Sequence, residues 1–129
     1  MNKLDKESII GISALLVHAA KIDEIYSDHE KDLIKNFIKS YLENGDPNEF
    51  LKKAEEVEKN SNQLLNYTNI IKQNSTDIKK DIIEHLWKVI ISDNTVDQYE
   101  SNLMRRICGL IYFSDKECAE IKLKLLNSK

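Results

Sequence analysis

The chain has 129 residues, 19 basic and 22 acidic, with a formal net charge of −3 and a pI near 5.6. This length suits one domain with a single core, and the lack of a basic excess argues against nucleic acid as a partner. Three glycines and one proline are too few for a turn-rich β fold, so we expect a single all-α domain over residues 1–129.

Apolar periodicity and capping signals predict three helices in the first half of the chain. The first runs from about residue 5 to 22. The capping box Ser27 to Glu30 starts the second, which should end near Glu43. Asp46-Pro47 starts the third, to about residue 59. Because the third helix carries only four apolar residues on one side, we expect it to be the least buried.

Four further helices are predicted in the second half. A short fourth helix ends at residues 73–74, and the fifth starts at Ser75 or Thr76. The fifth is apolar over more than half its circumference, which indicates a central position. Capping boxes at residues 97–100 and 114–117 start the sixth and seventh.

Two helix-loop-helix segments repeat along the chain, over residues 9–41 and 79–111. Asp23, Ser27 and Glu30 in the first acidic loop match Asp93, Asp97 and Glu100 in the second, each displaced by 70 residues. We expect the two pairs to pack face to face in one pseudo-symmetric core.

The sequence contains few residues in patterns that are typical of catalytic or metal-binding sites. The sequence holds no phosphate loop, nucleophile elbow or Cys/His metal motif, so we expect no enzymatic activity and treat an unrecognised hydrolase as the third alternative. Cys108 and Cys118 lie inside predicted helices and fit a reducing compartment. Small buried thiols are the simplest interpretation, and a disulfide or reactive thiol remains the alternative.

The apolar segment from Ile9 to Ala20 is too short to cross a membrane. Asp5 and Glu7 stand where a secretory signal would be basic. We therefore expect a cytoplasmic protein without a transmembrane segment, which leaves peripheral membrane association open.

The sequence resembles the tellurite-resistance TerB family, and within it the stand-alone TerB-like proteins. The resemblance covers nearly the whole chain and rests on segments in both repeats and in the middle helix: residues 14–23 with 27–30, residues 64–71, Leu86-Trp87, Asp93, residues 97–100 and residues 103–107. It implies an all-helical fold, also found as the amino-terminal domain of DjlA-type co-chaperones, and a role in bacterial stress systems.

The resemblance also implies divalent-cation binding, of the Ca²⁺ or Mg²⁺ class, by acidic loop residues. The matching positions are Asp23, Glu30, Asp93, Asp97 and Glu100. The same acids are explained without metal as helix caps, and that alternative stays open. Since Ser27 gives the first loop one acid fewer than Asp97 gives the second, the second loop is the better candidate.

From these features we expect a non-enzymatic module that binds other proteins in a stress-response or envelope-associated system. The alternative is a divalent-cation sensor or buffer that uses the acidic loops. The oligomeric state and the partner are not specified by the sequence.

Overall fold

The computed structural model describes residues 4–21, 26–42, 44–60, 65–91 and 98–127, apart from the side chains of residues 65–66 and 98–100. Within these ranges it has seven helices and no strand. The helices are α1 (Lys6–Ala20), α2 (Asp28–Tyr41), α3 (Pro47–Asn60), α4 (Leu65–Lys72), α5 (Thr76–Ile91), α6 (Gln98–Leu110) and α7 (Asp115–Asn127). The predicted all-α class and the seven helices are confirmed.

The first helix occupies the centre of the molecule. It packs against α2, α3, α4 and α5, and ten of its fifteen residues are buried, so it is enclosed on nearly all sides. Gly11 allows the closest approach, because a Cβ atom there would collide with Ile70 Cδ1 of α4. The predicted central helix, α5, is also mostly buried, but it packs against α1, α2 and α7.

Matched positions of the predicted repeat are buried in both halves. Ile12 and Ile82, Leu16 and Leu86, and Phe37 and Ile107 each differ by 70 in number, and all six side chains are fully buried. Trp87 matches Val17 and is 3% exposed, as expected of a core residue. The two halves meet through contacts of α5 with α1 and α2.

The structural repeat includes a third helix in each half. The third helix α3 packs on α1 and α2, and α7 packs on α5 and α6 in the same way. Asp46 and Ser114 precede these helices, and their numbers differ by 68 rather than 70. Relative to the repeat, α6 ends one residue earlier than α2, and the turn before α7 (residues 111–114) is one residue shorter than the turn before α3 (residues 42–46). The α4 helix is left as the connection between two three-helix units.

The prediction that α3 is the least buried helix was wrong. Phe50, Leu51 and Ala54 of α3 are buried against α1 and α2, whereas α7 buries only Cys118 and Ile121. Four apolar side chains are enough for α3, because two of them are large and meet the enclosed helix α1. Smaller deviations occur at helix ends, since α1 ends at Ala20 and α2 at Tyr41, two residues earlier than predicted.

Candidate functional site

The first acidic loop is described from Tyr26 onwards, where it enters α2. Ser27 has an extended backbone and caps α2, and its Oγ accepts a hydrogen bond from the Glu30 N–H at 3.2 Å. In return, Glu30 Oε1 accepts hydrogen bonds from the N–H and Oγ–H of Ser27, at 2.8 and 3.1 Å. This reciprocal arrangement is the predicted capping box, and Glu30 as a whole residue is 5% exposed.

Two further carboxylates reach this loop from α3. Tyr26 donates its phenolic hydrogen bond to Glu55 Oε2 at 2.7 Å, and Lys21 Nζ lies 2.9 Å from Glu58 Oε1. His18 Nδ1 lies 3.3 Å from Glu58 Oε2. The end of α1, the start of α2 and the last turns of α3 are therefore held together by polar side chains.

The electrostatics of this cluster centre on Tyr26. Burial raises the pKa of its hydroxyl well above the ordinary value, and the hydrogen bond to Glu55 with the nearby charges of Glu55, Glu30 and Glu58 raises it further. Lys21 and Lys31 lie over the Tyr26 ring, with Nζ 5.8 and 5.1 Å from its centroid. Tyr26 consequently stays protonated and acts as a hydrogen-bond donor.

The described part of this cluster does not fit a cation site. Glu30 is engaged by the helix cap, Glu55 by the Tyr26 hydroxyl, and Glu58 by Lys21 and His18. Across the described ranges, no three His, Cys, Asp or Glu side chains are grouped so as to hold a metal ion. Hard divalent cations need several oxygen ligands, and each of these three carboxylates already has a protein partner.

Of the predicted metal-binding residues, only Glu30 has a described side chain. Asp23, Asp93 and Asp97 lie outside the described residues, and Glu100 lies in the first turn of α6, with its side chain outside the description. The structure brings Glu30 close to Tyr26, Glu55 and Glu58, and it leaves the candidate site in the second loop as a prediction.

Glu55 and Glu58 were not identified from the sequence. The only available signal was a pair of glutamates three residues apart on α3, which lie on one face of the helix. Such pairs are common on solvated helix faces, and only the packing of α3 against α1 gives them a role.

A second polar cluster joins the two three-helix units. Tyr41 of α2 donates a hydrogen bond to Asp81 Oδ2 of α5 at 2.6 Å, and burial, with that hydrogen bond and the Asp81 charge, raises the pKa of Tyr41. His85 Nδ1 lies 2.9 Å from the Asp81 carbonyl oxygen, and the His85 ring meets Phe37 edge-on at 5.1 Å. Because these groups satisfy one another at a helix interface, the cluster fixes α2 against α5.

Arg105 and Arg106 follow the second acidic loop on α6. Both side chains are exposed, and within the described ranges neither forms an ion pair at 4.0 Å or less. No described helix is long and apolar enough to cross a bilayer.

Comparison with known proteins gives one match. The family model described as tellurite resistance protein TerB matches residues 10–123, which include all of α2 to α6 and most of α1 and α7. No curated protein and no solved structure matches the chain. The all-helical architecture agrees with the resemblance drawn from the sequence. Since the match covers nearly the whole chain, this protein belongs to the TerB family.

Proposed function

We propose that this TerB-family chain is a non-enzymatic cytoplasmic module that binds an amphipathic helix of another protein through the outer face of α7. We place it in a bacterial stress-response or envelope-associated system, and the family name, tellurite resistance, supports the first of these. The observation that carries the proposal is an apolar stripe on α7 whose side chains are exposed in the part of the chain that the structure describes.

The stripe consists of Ala119, Leu123 and Leu126. These residues are spaced four and three apart, so they lie on one face of the helix. All three are exposed, Leu123 by 57% and Leu126 by 36%, while Cys118 and Ile121 form the buried face. An exposed apolar stripe of this kind can pack against the apolar face of a partner.

The surroundings of the stripe favour a helix as its occupant. The apolar residues on α7 are flanked by Lys116, Glu120 and Lys122. Side chains of either charge on a partner could therefore form ion pairs at the edges of the stripe. A partner helix that binds in this way contributes apolar side chains at positions i, i+3 or i+4, and i+7. The stripe on α7 has the same spacing and charged edges, so the two apolar faces can pack together. A second copy of this chain is the competing occupant that the experiment must distinguish.

A photo-crosslinking amino acid placed at Leu123 tests the proposal in cells. The matched control carries it at Val57, which is 40% exposed on α3, the counterpart of α7. We expect an adduct with a different protein from position 123 and none from position 57. Equal adducts from the two positions, or an adduct only with another copy of the chain, would contradict the proposal.

The identified partner then allows a quantitative test. We expect the double substitution Leu123→Ser/Leu126→Ser to weaken binding of the purified partner by about tenfold or more, because apolar anchors dominate such interfaces. Val57→Ser should leave the Kd unchanged. Circular dichroism of each variant checks that the helices are intact, and tight binding by the folded double variant would refute the proposal.

A divalent cation at the second acidic loop is the second candidate function. We favour this loop over the first one because Glu30 and its neighbours are engaged by protein groups in the first loop. In addition, the sequence has Asp97 at the position that matches Ser27, which adds one acid. Titration with Ca²⁺, Mg²⁺, Mn²⁺ and Zn²⁺ should shift the amide signals of residues 92–100 more than those of residues 22–30. Shifts that persist in Asp93→Ala, or no local shift at millimolar metal, would exclude this candidate.

A further inference from the structure

A groove of about 510 Å³ lies between α6 and α7, beside the apolar stripe on the outer face of α7. Its floor is lined by Trp87, Met104, Cys118 and Ala119. Ala119 also belongs to the stripe, so a helix that lies along the stripe would cover the groove as well. The shape and charge of the groove therefore affect which helices the stripe can bind.

The internal repeat explains why this groove is open. Phe50 and Leu51 of α3 stand 68 positions before Cys118 and Ala119 of α7, the same spacing that separates the residues preceding the two helices. Both α3 side chains are buried, and they fill the space between α3 and its neighbours α1 and α2. Cys118 and Ala119 are much smaller, so α7 does not fill the matching space from within. The space left open can take a side chain about the size of leucine.

The floor of the groove favours an apolar occupant. Trp87, Met104 and Cys118 are nearly fully buried, and Ala119 adds a methyl group at the edge. The one strong donor among these four side chains, the Trp87 indole N–H, already donates a hydrogen bond to Cys118 Sγ at 3.3 Å. A polar side chain placed on this floor would lose water without gaining a partner, whereas an apolar side chain is stabilised by burial.

The rim of the groove carries more positive than negative charge. Arg105 of α6 and Lys122 of α7 line it together with the carboxylate of Asp115, so two cations face one acid in a chain whose net charge is −3. Among the described residues, none of these three forms an ion pair at 4.0 Å or less. Lys122 Nζ is held over the floor, 5.3 Å from the centre of the Trp87 ring. A carboxylate beside an inserted apolar group is therefore attracted by both cations.

We infer that this groove receives a large apolar side chain of the partner helix, and that an Asp or Glu within one turn of that side chain pairs with Arg105 and Lys122. The inference rests on the proposed binding of a helix to the stripe, and it specifies the chemistry of that helix as amphipathic and acidic. The apolar side chain takes the place that Leu51 fills in the first unit. The carboxylate forms charge-assisted hydrogen bonds with the two cations at the rim.

The partner segment that crosslinks to position 123 provides the probe for the test. Mass spectrometry identifies the segment, which is then synthesised as a labelled peptide and titrated with the full-length chain by fluorescence anisotropy. We expect the segment to contain a large apolar residue with an Asp or Glu three or four positions away, because such residues share one side of a helix. A segment with no acidic residue within one turn of a large apolar side chain would overturn the inference.

The substitution Ala119→Leu tests the insertion, because it gives α7 the residue that α3 has and fills the groove from within. We expect the Kd of the peptide to rise by about tenfold. A helix that used only the outer stripe would instead bind this variant equally well or more tightly, since the substitution enlarges the apolar surface. Asn102→Leu is the matched control and should leave the Kd unchanged, because Asn102 is exposed on α6 and does not line the groove.

The substitution Arg105→Glu tests the charge at the rim. We expect the Kd of the peptide to rise by about fivefold or more at low salt, and the difference from the wild type to shrink as salt is added. Arg106→Glu is the matched control, since Arg106 is the adjacent exposed residue of α6 and does not line the groove. Equal losses of affinity from the two substitutions would indicate only a general attraction to positive charge and would overturn the inference.

The outcomes separate this inference from the proposed function. If position 123 gives no adduct with a different protein, both are contradicted. If it gives an adduct whose peptide binds the Ala119→Leu variant as tightly as the wild type, the stripe binds a helix but the groove is not part of the site. Circular dichroism checks the fold of each variant, and the comparison of Arg105→Glu with Arg106→Glu decides the question if Ala119→Leu misfolds.

Discussion

The third helices of the two units, α3 and α7, start from equivalent capping signals and pack on equivalent pairs of helices, yet they are attached differently. The α3 helix buries two large side chains against α1 and adds polar links from Glu55 and Glu58 to the first acidic loop. The α7 helix buries Cys118 and Ile121, and its outer face is apolar. The first unit uses its third helix for stability, whereas we propose that the second presents its third helix to another protein.

The turns before these helices account for much of the difference. The α2 helix ends in the extended residue Leu42, and a longer connection through Gly45 lets α3 reach back over α1. The matched residue in the second unit, Tyr112, turns the chain directly into α7. A shorter turn keeps α7 close to α6, and the inner face of α7 places Cys118 Sγ 3.3 Å from the Trp87 indole nitrogen.

Truncation of core side chains should show most strongly that α3 is held more firmly than α7. We expect Leu51→Ala in α3 to lower the free energy of unfolding by about 3 kcal/mol, and Ile121→Ala in α7 by about 2 kcal/mol, because α3 meets a more enclosed surface. Urea denaturation measures both values. A larger loss for Ile121→Ala would reverse the comparison.

The polar link between α3 and the first acidic loop should have a smaller effect. Tyr26→Phe removes the donor to Glu55 and leaves a partly buried carboxylate without it, so we expect a loss of about 1–2 kcal/mol. Tyr112→Phe is the matched control, since that ring is 76% exposed and its substitution should change stability by less than about 0.5 kcal/mol. Equal effects for the two tyrosines would show that the link to α3 contributes nothing.

The two turns should respond in opposite directions to glycine. Tyr112→Gly relieves the strain of a side chain on a left-handed backbone, but glycine also loses more backbone entropy on folding. The net result that we expect is an increase of about 0.5 kcal/mol in the free energy of unfolding. Leu42→Gly has no such strain to relieve and loses side-chain packing, so it should destabilise the chain. Thermal unfolding of the pair provides the measurement. Destabilisation by Tyr112→Gly would mean that the Tyr112 side chain contributes more than its backbone strain costs.

The sequence predicted those features that depend on local patterns. Helix starts followed from capping boxes, and buried positions such as Leu16 and Leu86 followed from periodicity and from the 70-residue repeat. The third helix of each unit was missed as part of the repeat because α7 begins two residues earlier than the 70-residue spacing would place it. Its degree of burial was misjudged because apolar content on one helix does not reveal which surface that helix meets.

The candidate site was predictable only in part. The capping box of Glu30 was correctly expected, since it depends on residues three apart. The contacts of Glu55 with Tyr26 and of Trp87 with Cys118 join residues 29 and 31 positions apart, and no local pattern encodes them. The cysteines were expected to be small buried thiols, which is confirmed.

Native-state hydrogen exchange of the free protein tests the difference between α3 and α7 most directly. We expect the amides of α7 to exchange through a local opening, at a lower free energy than the amides of α3, which should exchange only when the core around α1 opens. Exchange of α3 before α7, or exchange of both helices only on global unfolding, would contradict the division of roles between the two units.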